Sequence, residues 1–175
     1  MYAVELFNSN NTAVITAESM RQKVVALQDE LLQMPQADIV TTHTFLPGVY
    51  ERKITVPPWT VLTGAAHKTG YRVRLEKGTI AVNRETEVML LVAPYEFEAK
   101  AGEQRAGRVF DEEVVWVDIY DNPDNCEDLT MLEERLYVVP ECGLGDTRKR
   151  LALTNEIEGT LLWLDGQQQQ LQVAP

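Results

Sequence analysis

From Ile39 to Tyr120 apolar and polar residues alternate in short runs, and turn-forming residues break the runs about every 8–12 positions. An extended chain points successive side chains to opposite faces, so this pattern specifies strands with one buried face. Short strands with no helical pattern between them build an antiparallel sandwich or barrel rather than a parallel α/β sheet. The alternation predicts strands over 48–56, 71–75, 87–92, 95–100 and 114–120. Pro47-Gly48, Pro57-Pro58, Lys77-Gly78, Ala93-Pro94, Ala101-Gly102 and Asn122-Pro123-Asp124 punctuate them. In the second, Tyr71, Val73 and Leu75 share a face and Arg72 and Arg74 take the other. The last differs. Trp116, Asp118 and Tyr120 share one face, and Val115, Val117 and Ile119 the other. With both faces largely apolar, that strand is expected to be covered twice, by the core and by a helix or second subunit.

Two stretches switch to helical spacing. Over 17–34, Met20, Val24, Leu27, Leu31 and Met34 fall on one stripe, opposite Arg21, Gln28, Asp29 and Gln33. Thr16 or Ser19 can cap the start, and Pro35 stops the helix. The stripe predicts a helix lying on a sheet or closing one end of a barrel, or alternatively a self-association seam. Residues 129–138 read as a short helix with Leu132, Leu136 and Tyr137 on its apolar side. Beyond it, Gly143-Leu144-Gly145 reads as a joint. Asp165-Gly166 reads as a hairpin turn within 160–173, with Trp163 anchoring the hairpin on the body or on a neighbour. The expected organisation is an arm and helix over 1–38, a barrel over 39–121 and a helix-and-hairpin extension over 122–175.

Charge and cysteine content narrow the function classes. The 175 residues carry 16 Lys and Arg against 27 Asp and Glu, a net charge of −11. An acidic surface repels phosphate backbones and anionic lipid, so neither nucleic acid nor membrane is expected as a partner. No stretch approaches the roughly 20 apolar residues that span a bilayer, and the start has no basic leader pattern. Secretion by a signal peptide is therefore not expected. Cys126 and Cys142 do not form a Cys-x-x-Cys pair and are expected to be reduced. The serines, Ser9 and Ser19, precede both histidines, His43 and His67, which argues against a Ser-His-Asp triad. The carboxylates at 111–113 and 133–134 read as solvated surface, and Gly143-Leu144-Gly145 lacks the Lys of a phosphate loop.

Several weak motifs in order, Thr41-Thr42-His43, Pro47-Gly48-Val49-Tyr50, Ile54 to Pro57, His67-Lys68-Thr69, Gly78, Ala93-Pro94-Tyr95, Ala101-Gly102 and Val115-Trp116-Val117, give residues 40–120 a likeness to a known family. The stretch resembles the cupins, and most of all the small single-domain cupins of tailed-phage and prophage genomes. The resemblance implies a mainly β fold: a double-stranded β-helix, or jelly roll, here with an N-terminal amphipathic helix, a short helix after the barrel and a C-terminal hairpin. In that family two His and a Glu from a first motif and a His from a second hold one divalent metal inside the barrel. Aligned on Gly78 and Gly102, those positions fall on Ala65, His67, Tyr71 and Arg105. Alanine has no donor and arginine stays protonated, so no metal or other cofactor is expected. A replacement ligand would have to come from Glu76 or His43.

With the metal gone, the strand phase points Tyr71 and Arg105 inward beside His67, with Tyr50 near. This set could hold a carboxylate, a phosphate or a sugar, unless Arg105 is taken by Glu76 or Glu103. Two functions follow. The first is a non-catalytic structural or interaction protein of phage or prophage origin, a virion component or assembly accessory in host cytoplasm or virion. It would associate with itself, and with other phage structural proteins, through Met20, Val24, Leu27 and Leu31, through Val115, Val117 and Ile119, or through Trp163. The alternative is a metal-free binder of a sugar or anion, or an isomerase, using His67, Tyr71, Arg105 and Tyr50. Trp59, Phe97 or Trp116 filling the barrel would remove that alternative.

Overall fold

Ten strands and two helices make up the computed structural model, which describes residues 17–138 and the short strand Leu153–Thr154. The Gly143-Leu144-Gly145 joint, Cys142, Trp163, the 160–173 hairpin and the capping side chains of Thr16 and Ser19 lie outside the described residues. In chain order the elements are α1 (Ala17–Leu31), β1 (Val40–Leu46), β2 (Gly48–Val56), β3 (Val61–Thr63), β4 (Tyr71–Lys77), β5 (Thr79–Asn83), β6 (Val88–Val92), β7 (Tyr95–Ala99), β8 (Ala106–Val109), β9 (Val114–Asn122), α2 (Leu129–Leu136) and β10 (Leu153–Thr154).

The strands form two antiparallel five-stranded sheets, ordered β1-β2-β9-β4-β7 and β10-β3-β8-β5-β6. The pairings β2 with β9, β3 with β8, β4 with β7 and β5 with β6 are nested. One long two-stranded ribbon, closed at its β5–β6 end and passing between the sheets, generates that nesting. It is the jelly-roll winding of a double-stranded β-helix, and the fold is mainly β, as the alternation requires. Four strands of the barrel were not among those predicted: β1, which is seven residues long and does alternate, and β3, β5 and β8, which are three to five residues long and buried on nearly every residue. A strand covered on both faces loses its period of two.

Gly78, between β4 and β5, has a φ of +85°, and a Cβ there would stand 2.5 Å from the Glu113 carbonyl oxygen. Only glycine fits so close an approach of the β4–β5 turn to the chain entering β9.

Helix α1 ends three residues before the predicted boundary. Its last turn tightens, with Met34 N–H donating to the Leu31 carbonyl, and the Gln36 side-chain amide caps that carbonyl at 2.9 Å. Met20, Val24, Leu27 and Leu31 are buried against Val61 of β3 and Ala106 of β8, on the outer face of the second sheet. Their burial within the chain is the helix-on-sheet arrangement and leaves these four side chains no free surface for a partner. Burying such side chains stabilises by roughly 1.5–3 kcal/mol each.

The barrel end is closed by α2 instead. Asp128 caps this helix, accepting from the Thr130 and Met131 amides, and Leu132, Leu136 and Tyr137 join the barrel core. Backbone bonds from Lys68 N–H to the Leu136 carbonyl and from Val138 N–H to the Ala66 carbonyl tie it down.

The outer face of β9 needs no second layer. Val117 lies between Lys53 and Arg74, and Ile119 between Glu51 and Arg72. Ion pairs Lys53–Glu76 at 2.7 Å, Arg74–Glu76 at 3.0 Å and Arg74–Glu51 at 3.4 Å hold the long side chains across the face. Their methylene stems bury Val117 and Ile119 while the charges stay wet. The double cover expected of this strand is thus supplied by its neighbours; Val115 remains half-buried. Among the described residues no helix is long and apolar enough to cross a membrane.

Candidate functional site

Registered pairing stacks the inward side chains of the first sheet in layers. Phe45, Tyr50 and Tyr120 form one, with Tyr71 beside them; His43, Arg52, Asp118, Val73 and Phe97 form the next; Ile54, Trp116, Leu75 and Tyr95 form a third. The first layer is aromatic: Tyr50 stacks on Tyr120 at 5.7 Å and Tyr120 on Tyr71 at 5.2 Å. The second is charged. Arg52 and Asp118 sit directly opposite each other, 9% and 5% exposed, with Arg52 Nη1 3.7 Å from Asp118 Oδ2. Trp116 Nε1–H donates to the other Asp118 oxygen at 2.7 Å.

Between the sheets lies a cavity of about 70 Å³. Ile54, Val56, Leu62, Ile80, Val82 and Val114 give it an apolar wall, and Gly107 lets Ile80 and Leu62 pack where its Cβ would stand, 2.9 and 3.1 Å from their side chains. His67, Tyr71, Arg105, Tyr137 and Glu133 line its polar end, with Arg52 and Asp118. Trp116 contributes wall, and Phe97 packs edge-on against Trp116 at 5.8 Å, so neither fills the space. Trp59 is half-buried in the β2–β3 turn and does not line it.

The structure thus brings together three of the four residues expected to form a ligand set. His67 and Tyr71 stack with ring centroids 3.9 Å apart. His67 Nε2 shares a hydrogen bond of 2.9 Å with the Tyr120 hydroxyl, which in turn lies 3.2 Å from the Tyr137 hydroxyl. Arg105 is paired with Glu103, donates to the Asn83 carbonyl at 3.1 Å and lies over the Phe97 ring at 4.9 Å. Of the two carboxylates that could have taken it, Glu103 does so. The other, Glu76, is on the outer face with Lys53 and Arg74. Tyr50, the fourth, lies behind Tyr120 and bonds His43 Nδ1 at 2.7 Å instead of lining the cavity.

Burial dominates the titration of this cluster. It pushes the His67 imidazole down to about 4, against the opposing pull of Asp118, so the ring is neutral near pH 7. Burial also raises the Tyr71, Tyr120 and Tyr137 hydroxyls, which stay protonated. Two buried polar atoms, His67 Nδ1 and Arg105 Nε, have no hydrogen-bond partner among the described residues.

The four positions that the sequence resemblance sets against the cupin metal ligands fall together in the structure. Ala65, His67, Tyr71 and Arg105 line one cavity. Their donors are a methyl, an imidazole, a protonated phenol and a guanidinium, a set that does not suit a divalent cation. Neither candidate replacement helps: Glu76 is outside the barrel and His43 is bonded to Tyr50. Among the described residues no three His, Cys, Asp or Glu side chains are grouped to bind a metal.

Strand phase alone identifies Tyr71, but Arg52 and Asp118, which line the same cavity, carry no motif. Their signal was parity: Arg52 shares its face with Tyr50 and Ile54, and Asp118 with Trp116 and Tyr120. Opposite charges at inward positions of two strands mark a buried pair.

No protein-family model and no curated protein matches the chain. Solved structures similar to it include the cupin domain of an XRE-family transcriptional regulator from Enterobacter cloacae, at 14% identity over 50% of this chain and 99% of that one, TM-score 0.44. KdgF from a Halomonas species is similar at 14% identity over 51% and 88%, TM-score 0.42. A cupin domain from Bordetella pertussis Tohama I is similar at 18% identity over 51% and 98%, TM-score 0.41.

Proposed function

We propose that this chain is a non-catalytic cupin-fold protein with a degenerate metal site, acting as a structural or interaction module that associates with itself and with other proteins. One observation carries the reading. The interior side chains are engaged with one another: His67 with Tyr120, Arg105 with Glu103 and Asn83, and Arg52 with Asp118. A site built for chemistry keeps donors and acceptors aimed at a reacting group and tunes an acid or base toward the working pH. Here His67 is driven well below neutrality and Tyr71 above its ordinary range, and the two rings stack face to face. That leaves the pair poorly matched for the proton transfers of an isomerase. A phage or prophage setting, as virion component or assembly accessory, rests on the sequence resemblance.

The test is metal content and mass of the purified chain. The expected result is far less than one equivalent of manganese, iron or zinc, with a solution mass at least twice the chain's 19.8 kDa. One retained equivalent of metal overturns the degenerate site. A strict monomer that captures no other protein overturns the interaction role.

A second reading, a metal-free pocket, is favoured by the unpartnered His67 Nδ1 and Arg105 Nε beside the cavity. At about 70 Å³ the space is far below the roughly 300–1,000 Å³ of ordinary ligand pockets, so only a molecule of a few heavy atoms fits, not a sugar ring.

A further inference from the structure

Outside the barrel, α1 and the β5–β6 and β7–β8 connections enclose a second space of about 300 Å³. Arg21, Arg84, Lys100 and Arg105 line it, against Glu85 and Glu103. In a chain with only 16 cations and a net charge of −11, four guanidinium and ammonium groups at one groove are a local reversal of sign.

The cations differ in what holds them. Arg105 is internally paired with Glu103 and 9% exposed at its side chain, so its charge is already matched. Lys100 bonds Glu85 at 2.6 Å, but both side chains are more than half exposed. An exposed pair of this kind is worth only about 0–1 kcal/mol and exchanges partners readily. Arg84 has no carboxylate within ion-pair distance among the described residues. Its guanidinium is instead held by the Phe97 ring at 5.5 Å and the Met89 sulfur at 3.9 Å. An aromatic face orients an arginine without neutralising it, which leaves a planar donor fork for an anion.

From this geometry we infer that the groove binds a compact dianion on a small molecule: a phosphate group or two neighbouring carboxylates. Arg84 grips it in a forked contact, Lys100 turns to it from Glu85, and Arg21 faces it from α1. The two groove carboxylates and the acidic surroundings repel an extended polyanion, so the ligand is a small molecule rather than nucleic acid. The groove shares Arg105 with the barrel cavity, but Arg84, Lys100 and Arg21, which make the contacts proposed here, do not line that cavity.

The experiment is an amide NMR titration of the full chain with inorganic phosphate, and in a separate arm with malonate, chloride holding the ionic strength constant. Saturable shifts at Arg84, Gly102 and Gln104 are expected, with millimolar affinity for at least one probe. The arm that saturates tells phosphate from dicarboxylate. Arg84→Gln should weaken binding about tenfold. Lys100→Gln, at an exposed position, should weaken it severalfold and serves if the first variant does not fold. Lys77→Gln, on another face, should bind as the parent does. No saturable shift with either probe up to about 50 mM overturns the inference. Binding left unchanged by both Arg84→Gln and Lys100→Gln means an adventitious ion only, and overturns it too.

Discussion

Lowering the pH from 7 to 5 should destabilise this protein through one buried ring, His67. In the unfolded chain its imidazole takes a proton near 6.5, while in the folded chain burial holds it neutral down to about 4. Between those values the unfolded state binds the extra proton, so stability falls as pH falls, and the fall levels off below about 4. Each unit of separation corresponds to about 1.4 kcal/mol, and integrating from pH 7 to pH 5 gives a loss of about 2 kcal/mol from this group. Urea unfolding followed by tryptophan fluorescence measures it, with His67→Gln as reference, because Gln keeps a side-chain amide for the Tyr120 hydroxyl and does not titrate. The parent should lose about 2 kcal/mol more than the variant over this interval. Parallel pH profiles for the two proteins would refute the reasoning. An imidazole NMR titration near 6.5 would do the same, since it means that water reaches the ring.

Other expectations test particular contacts. Asp118→Ala leaves Arg52 a buried charge without its ion-pair partner and should cost about 3–5 kcal/mol in denaturant unfolding, while adding Arg52→Met should restore much of it; simple additivity would show the pair is not coupled. Gly78→Ala should cost at least about 2 kcal/mol, read as a drop in thermal midpoint, because its φ is +85° and the new Cβ meets the Glu113 carbonyl; an unchanged midpoint would mean that the turn relaxes freely. Leu27→Ala should cost about 2–5 kcal/mol independently of protein concentration, since Leu27 is buried within its own chain; a concentration-dependent loss would point to a seam between copies.

Much of the barrel was legible because period two is a local signal. The strand read over 48–56 spans the observed β2, and Tyr71, Val73 and Leu75 face the core as their parity requires. The α1 stripe was legible for the same reason, although its 4-3-4-3 spacing could not say whether the covering surface was its own sheet or a neighbour's. What covers the outer face of β9 within the chain was not legible, because Val115, Val117 and Ile119 say nothing of the strands beside them. Lys53, Arg74 and Glu76 are far apart in sequence from β9, and only the β2-β9-β4 order lays their stems over it.

By itself, then, the order of residues determined where several of the longer strands run, where the chain turns, which side of those strands is apolar, and that an imidazole, a phenol and a guanidinium stand at 67, 71 and 105. Those properties follow from backbone sterics and side-chain chemistry acting over a few residues. The tertiary structure alone decided that Arg52 meets Asp118, that Glu103 takes Arg105, that α2 and not α1 closes the barrel, and that Arg84 and Lys100 share a groove with Arg21. Each of these depends on which strands become neighbours, and strand pairing is settled by packing of the whole chain rather than by any local run of it.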